Sequence, residues 1–190
     1  MASVQLQGMR VAIVATDDFE QSELTEPKKA LEEAGARVWI VAPRPGTIQG
    51  MKHDEKGDRL PVDQSLAEAD PQHFDAAMLP GGALNADALR VVPEAKAFIS
   101  AIDGAGKPIA VICHGPWLLA SAGLVSGRKM TSYHTIQDDL RNAGADWRDA
   151  EVVRARNWVS SRRPADLPAF NREMLALFAE HQAGRTAKAA

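Results

Sequence analysis

The feature that most constrains the fold of this chain is a series of short apolar runs separated by segments with helical periodicity. The runs cover residues 10–15, 37–42, 75–79 and 108–112. Near-continuous apolar runs of this length are typical of strands that are covered on both faces. Their alternation with helices predicts an α/β fold with a mostly parallel, doubly wound sheet and right-handed crossovers.

Three intervening segments have the spacing of amphipathic helices. Residues 26–34 place Ala30, Leu31 and Ala34 on one face and stop at Gly35, a residue suited to the left-handed end of a helix. Residues 93–102 and 167–180 repeat the pattern, so we expect both to pack against the sheet. Between residues 43 and 74 the pattern weakens, which indicates a long excursion that carries a short hairpin.

Size and charge restrict the function classes. The 190 residues fit one domain, 1–190, with a disordered tail over 184–190. A net charge of -3 provides no basic field for a phosphate backbone, so nucleic acid is not expected as the main partner. The single cysteine cannot form an internal disulfide, no apolar run is long enough for a membrane span, and the first eight residues do not resemble a secretory signal. We therefore expect a cytoplasmic protein.

Three polar or glycine-containing segments follow predicted strands: residues 16–20, 80–82 and 113–116. In a doubly wound sheet, ligands bind beyond the carboxyl ends of the strands. The functional site is therefore predicted at this edge.

Cys113 is the candidate nucleophile. The sequence passes from a buried strand through Cys113, His114 and Gly115 into an apolar helix that begins at Pro116. Such a nucleophile elbow projects a side chain out of the sheet, and the positive end of the following helix favours a thiolate. A buried structural cysteine is the alternative, but a His and a Gly at this turn are poor choices for plain packing.

Two further groups are predicted near the sulfur. Gly81 and Gly82 have no side chains, so their backbone N–H groups can approach an oxyanion, although an ordinary turn has the same composition. Glu20 follows the first strand. It helps a thiolate only if it keeps its proton and donates a hydrogen bond, since an ionised carboxylate would repel the sulfur.

The sequence resembles the ThiJ/PfpI superfamily, and especially its PfpI branch of intracellular stress proteins described as proteases and, in several members, as deglycases. The resemblance spans nearly the whole chain and rests on ordered blocks: residues 18–20, 79–82, 106–108, 112–116, 127–129, 131–133, 142–145, 149–153, 160–162 and 164–168.

This resemblance implies a flavodoxin-like fold related to class I glutamine amidotransferase domains. It implies that Cys113 is the nucleophile, with His114 as its neighbour, and that Glu20 is the protonated acid beside the sulfur. Asp87 is the nearest candidate for a carboxylate that enters the site of a partner subunit, in a homodimer or a hexamer.

The resemblance also places Tyr133 near the pocket, and His134 occupies a place where relatives often have Pro. This additional imidazole either contacts substrate or lies on an exposed loop. Scattered histidines without metal-site spacing, and the absence of phosphate-loop and dinucleotide motifs, lead us to expect no metal and no cofactor.

Two classes of function remain open. In the first, Cys113 attacks an electrophilic carbon as a deglycase or cofactor-free glyoxalase acting on methylglyoxal or glyoxal adducts, or as a PfpI-type cysteine peptidase acting on peptides. Peptide cleavage ranks lower because it depends more heavily on a well-placed base. In the second, the protein is an oxidative-stress sensor or chaperone in which an exposed, low-pKa Cys113 becomes sulfenic or sulfinic acid.

Overall fold

The structure is a computed structural model that describes residues 4–189. In chain order the strands are β1 (Arg10–Val14), β2 (Phe19–Glu20), β3 (Arg37–Ala42), β4 (Thr47–Lys52), β5 (Glu55–Pro61), β6 (Gln64–Ser65), β7 (Ala76–Leu79), β8 (Ile109–Ile112), β9 (Lys129–Met130), β10 (Asp146–Trp147), β11 (Val152–Ala155) and β12 (Trp158–Ser161). The helices are α1 (Gln21–Glu33), α2 (Ala83–Arg90), α3 (Pro93–Gly104), α4 (Pro116–Ser121), α5 (Gln137–Asn142) and α6 (Leu167–Ala189). Short 3-10 turns lie at Pro71–His73, His134–Ile136 and Pro164–Asp166.

The central sheet has the order β11-β12-β8-β7-β1-β3-β6. Its neighbouring strands are parallel, except that β11 runs antiparallel to β12 at one edge. The inner order β3-β1-β7-β8-β12 is the order of flavodoxin-like folds. The predicted α/β, doubly wound and mostly parallel sheet is therefore confirmed.

Each central strand contributes side chains to two hydrophobic cores, one on each face of the sheet, because successive side chains point to opposite faces. In β1, Val11 and Ile13 belong to the core that includes apolar residues of α1 and α6, whereas Ala12 and Val14 belong to the core that includes those of α2, α3, α4 and α5. Burial on both faces explains why the sequences of these strands are continuous apolar runs rather than alternating apolar and polar residues.

The excursion after β3 contains the predicted hairpin, β4–β5, which is antiparallel. The short strand β2 pairs with β4, so that Phe19 lies beside Gly50 and Glu20 beside Met51. This pairing holds the hairpin beside the carboxyl edge of the sheet and brings His53 toward that edge.

The predicted disordered tail covers residues 184–190. Helix α6 continues through Ala189, and only Ala190 of the predicted tail lies outside the described residues. Arg185 forms an ion pair with Asp75, which attaches the last turns of the helix to the amino edge of the sheet. Within residues 4–189, no helix is long and apolar enough to cross a membrane.

Candidate active site

Cys113 occupies a strained turn between β8 and α4. Its φ of +62° is a left-handed conformation that costs a non-glycine residue on the order of 1–3 kcal/mol. Two backbone hydrogen bonds fix the turn: Cys113 N–H donates to the Ser161 carbonyl at 3.1 Å, and Cys113 C=O accepts from Tyr133 N–H at 2.9 Å. The predicted elbow is therefore present, and it directs the sulfur into a buried position with 7% of the residue exposed.

The glycines after β7 let the backbone approach this sulfur. A Cβ atom added at Gly81 would lie 2.6 Å from Cys113 Cβ and 3.1 Å from Sγ, so the site has no space for a side chain there. Gly82 has a φ of +91° and passes close to the backbone of Asp18 and Glu20. The Gly82 and His114 N–H groups donate to the sulfur, and the same donors can hold an oxyanion formed beside it.

A fully buried carboxyl group, that of Glu23, lies beside the thiol. Glu23 is in the first turn of α1, and its Oε2 accepts a hydrogen bond from Gly81 N–H at 2.9 Å. Burial raises the pKa of Glu23 to about 8, with a further increase from the charge of Glu20, against lowering contacts from Cys113 and Gly81. Oε1 has no hydrogen-bond partner among the described residues that meets normal geometry, so it is the oxygen available to carry the proton.

Glu23 and Cys113 form a coupled acid pair. Burial, followed by the Glu23 charge, raises the pKa of the Cys113 thiol, whereas the Gly82 and His114 N–H groups lower it. Two negative charges cannot share this buried space at low cost, so the pair retains one proton over a wide pH range. While Glu23 keeps its proton at neutral pH, its charge does not oppose ionisation of the sulfur.

His114 lies against both the sulfur and a hydroxyl group. Its Nδ1 is 3.2 Å from Cys113 Sγ, and its Nε2 is 3.3 Å from Thr135 Oγ1. Its ring stacks on Tyr133, with centroids 5.0 Å apart and an interplanar angle of 28°. Burial and the nearby His134 lower the pKa of His114, so the ring is neutral at neutral pH and can accept a proton.

A cavity of about 590 Å³ opens over this pair. It is lined by Asp18, Glu20, Glu23, Met51, His53, Gly82, Ala83, Leu84, Cys113, His114, Tyr133, Arg163, Pro164 and Ala165. In the described part of the chain, no group of three or more His, Cys, Asp or Glu side chains is placed to hold a metal ion. The site thus combines a nucleophile, an acid, a base and backbone donors in a volume suited to a small molecule.

Comparison with known proteins identifies the family. A model of the DJ-1/PfpI family matches residues 9–177. The chain belongs to the DJ-1/PfpI family. It is 46% identical over 169 residues to "Deglycase TK1284" of Thermococcus kodakarensis, covering 89% of this chain and 99% of that protein. It is 42% identical over 170 residues to "Protein/nucleic acid deglycase 2" of Escherichia coli, covering 88% and 96%.

Solved structures of DJ-1/PfpI proteins share the fold. The crystal structure of Drosophila melanogaster DJ-1beta superposes with a TM-score of 0.81 at 23% identity, covering 95% of this chain and 98% of that chain. Because this identity is low, the likeness supports the architecture alone.

The acid beside the sulfur is a correction to the sequence prediction for this DJ-1/PfpI chain. The predicted residue, Glu20, lies on the cavity wall, but its Oε2 accepts from His53 N–H at 3.1 Å and its Oε1 from the Ser22 hydroxyl at 3.3 Å. The residue that contacts the thiol is Glu23, because the first turn of α1 points inward. Glu20 acts on the pair only through its charge.

The remaining predicted residues are distributed unevenly. Cys113, His114, Gly81 and Gly82 converge, and Tyr133 lines the cavity as predicted. His134 is exposed and does not line the cavity, and its ring centroid lies 4.5 Å from that of Tyr133. Asp87 is an exposed residue of α2 that does not line the cavity of its own chain, so a role in a partner's site stays a prediction.

Sequence reasoning missed Glu23, Thr135 and Arg163. For Glu23 a signal existed: it is spaced four and eight residues before the buried Pro27 and Leu31, so it lies on the apolar side of α1. An acidic residue in such a position is either paired or protonated. Thr135 and Arg163 carry no comparable signal, because their roles depend on where two loops meet.

Proposed function

We propose that this DJ-1/PfpI protein is a cysteine-dependent deglycase or glyoxalase that acts on methylglyoxal and glyoxal adducts of small amines and thiols, in a stress-protective role. The observation that carries the proposal is the Cys113–Glu23 pair, in which a buried nucleophile and a protonated acid share one cavity with two backbone donors. The names of the two relatives described above, both deglycases, support it.

The proposed reaction begins at the aldehyde-derived carbon. The Cys113 sulfur bonds to this carbon as its proton passes to His114, and the bond to the carrier nitrogen or sulfur breaks. The carrier leaves with a proton from His114, or from Glu23, which His114 then reprotonates, so that the ring is neutral again. The Gly82 and His114 N–H groups hold the oxygen on the attacked carbon.

An internal redox step then converts the bound fragment into an acid. For methylglyoxal, the proton on the attacked carbon moves through His114 to the neighbouring ketone carbon, which is reduced while the attacked carbon is oxidised. The resulting lactoyl thioester of Cys113 is hydrolysed by water to lactate and free thiol. One water is consumed, and no external oxidant or reductant is required.

The structure favours this chemistry over peptide cleavage. Within residues 4–189, His114 Nε2 faces the Thr135 hydroxyl rather than a carboxylate, so the imidazolium that amide hydrolysis requires is less well stabilised. A redox-sensor role is also less well supported, because it was predicted from an exposed, low-pKa thiol, whereas Cys113 is buried and burial raises its pKa.

The test is steady-state release of free amine or thiol, together with lactate or glycolate, from methylglyoxal- and glyoxal-adducted substrates. Wild type and Cys113→Ser are compared, and depletion of free aldehyde is measured as the control. The proposal predicts cysteine-dependent release beyond that control. Equal release by the two proteins would remove the enzyme assignment and leave the sensor or chaperone hypothesis.

A further inference from the structure

Two adjacent arginines after β12 have different surroundings. The Arg162 guanidinium is held by Asp166 at 2.8 Å and by Asp149 at 2.7 Å. Arg163 is exposed and lines the Cys113 cavity, and its guanidinium forms no ion pair or side-chain hydrogen bond within residues 4–189. Arg162 is thus committed to structure, whereas the charge of Arg163 is available to a ligand.

Arg163 is positioned close to the reacting sulfur by the strand register. Strand β12 is the parallel neighbour of β8, with Ser161 beside Ile112. Cys113 N–H donates to the carbonyl of Ser161, two residues before Arg163. Because neighbouring strands are about 4.8 Å apart, a guanidinium at this position lies within reach of a small molecule bonded to Cys113.

The acidic residues of the cavity come from the other side. Asp18 and Glu20 follow β1, which is separated from β12 by β7 and β8, or about 14 Å at the sheet. Among the described residues that line the cavity, Arg163 is the only Lys or Arg. A polyphosphate would therefore meet two carboxylates, whereas one small anionic group can pair with Arg163 and stay clear of both.

We propose that Arg163 selects adducts whose amine or thiol carrier bears a single carboxylate, such as those of free amino acids and of small carboxylated thiols. The inference rests on the proposed function and deepens it by naming the substrate class. A guanidinium suits this task because it binds a carboxylate through two parallel N–H donors.

The experiment compares two hemithioacetals of methylglyoxal that differ only in this group, one made from N-acetylcysteine and one from its uncharged C-terminal amide. The kcat/KM ratio of acid over amide is measured for wild type, Arg163→Met and, as control, Arg172→Met, with Cys113→Ser as background. Arg172 is an exposed arginine of α6 that pairs with Glu173.

We expect wild type to prefer the acid about five-fold, a modest factor because an exposed ion pair is partly screened. Arg163→Met should reduce the ratio to about one, and Arg172→Met should preserve it. The wild-type preference should also decrease at high salt.

Three results would overturn the inference in distinguishable ways. Turnover of both substrates without preference by wild type would refute carboxylate selection while the proposed function stands. A preference that survives in Arg163→Met would refute the assignment to this residue. Absence of turnover by wild type on either substrate would refute the proposed function itself.

Discussion

Two cavities of similar size lie at opposite ends of the strands of the sheet. Each contains a buried carboxyl group, and the pKa values of these two groups are shifted in opposite directions. At the amino edge, a cavity of about 530 Å³ contains Asp75 between Arg10 and Arg185. Burial alone would raise the pKa of Asp75, but hydrogen bonds from the two arginines lower it below its ordinary value. At the carboxyl edge, the 590 Å³ cavity contains Glu23, whose pKa is raised to about 8.

The difference shows how to separate a structural carboxyl group from a chemical one. Asp75 is neutralised by cations, and its ion pairs tie α6 to the start of β1. Within residues 4–189, Glu23 has only a backbone N–H and a thiol as partners, so it keeps a proton that it can transfer. A carboxyl group that is buried without a cation is thus the better candidate for catalysis.

The largest expected effect distinguishes Glu23 from Glu20. Glu23→Leu should reduce kcat/KM for adduct turnover about 100-fold, since general acid–base groups contribute on the order of 10²–10⁴. Glu20→Leu, the matched control three residues away, should reduce it only a few-fold, because Glu20 acts through its charge. Similar losses in the two variants, measured by initial rates, would contradict the assignment.

The second prediction concerns the close approach of Gly81 to Cys113. Gly81→Ala should lower the free energy of unfolding by about 1–3 kcal/mol, because the new methyl group overlaps Cys113 Cβ. Gly104→Ala is the matched control, since its Cβ would meet no heavy atom within 4 Å. Urea unfolding measures both, and a neutral Gly81→Ala would show that the site is looser than described.

The third prediction is that the two cavities give stability opposite pH dependences. The lowered pKa of Asp75 means that its stabilisation is present above its unfolded value, about 3.9, and is lost as the pH falls through the folded pKa. The raised pKa of Glu23 means that wild type loses stability as the pH rises from about 4.5 toward 8.

Each dependence can be removed by one substitution. Asp75→Asn should destabilise the protein by about 1 kcal/mol at pH 7 and by less at pH 3. Glu23→Gln should gain stability relative to wild type between pH 5 and pH 9. Urea unfolding between pH 3 and pH 9 measures both, and a difference of the same sign for the two variants would show that the pKa values of the two carboxyl groups are not shifted in opposite directions.

The smallest effect is expected at Thr135. Thr135→Val removes the hydroxyl that orients His114 Nε2 and should lower kcat about three- to ten-fold and shift its pH profile, with KM little changed. Thr135→Ser keeps the hydroxyl and should restore most of the rate. Equal rates and profiles for Val and Ser would indicate that the contact does not position the ring.

Much of the fold could be predicted from the sequence. Strands that are buried on both faces need apolar residues at successive positions, and β1, β3, β7 and β8 therefore appear in the sequence as apolar runs. The elbow at Cys113 could also be predicted, since its turn residues are local in the chain. The sequence predicts Glu20 and misses Glu23 because position along the chain identifies a strand end but not the direction in which each carboxyl group points.

The rest of the site depends on distant segments that meet in space. Thr135 reaches His114 from a loop 21 residues away, and Arg163 reaches the cavity through the pairing of β12 with β8. Their side chains have no periodicity or spacing that marks them. The ion pair of Arg185 likewise joins α6 to a residue more than one hundred positions earlier.

The central claim, that Glu23 and Cys113 share a proton, is tested most directly by titrating the thiolate absorbance of wild type, Glu23→Leu and Glu20→Leu. Because the Glu23 charge raises the pKa of the Cys113 thiol, its removal in Glu23→Leu should lower the apparent pKa of Cys113, whereas Glu20→Leu should leave it nearly unchanged. An unchanged or raised pKa in Glu23→Leu, or an equal decrease in both variants, would contradict the account.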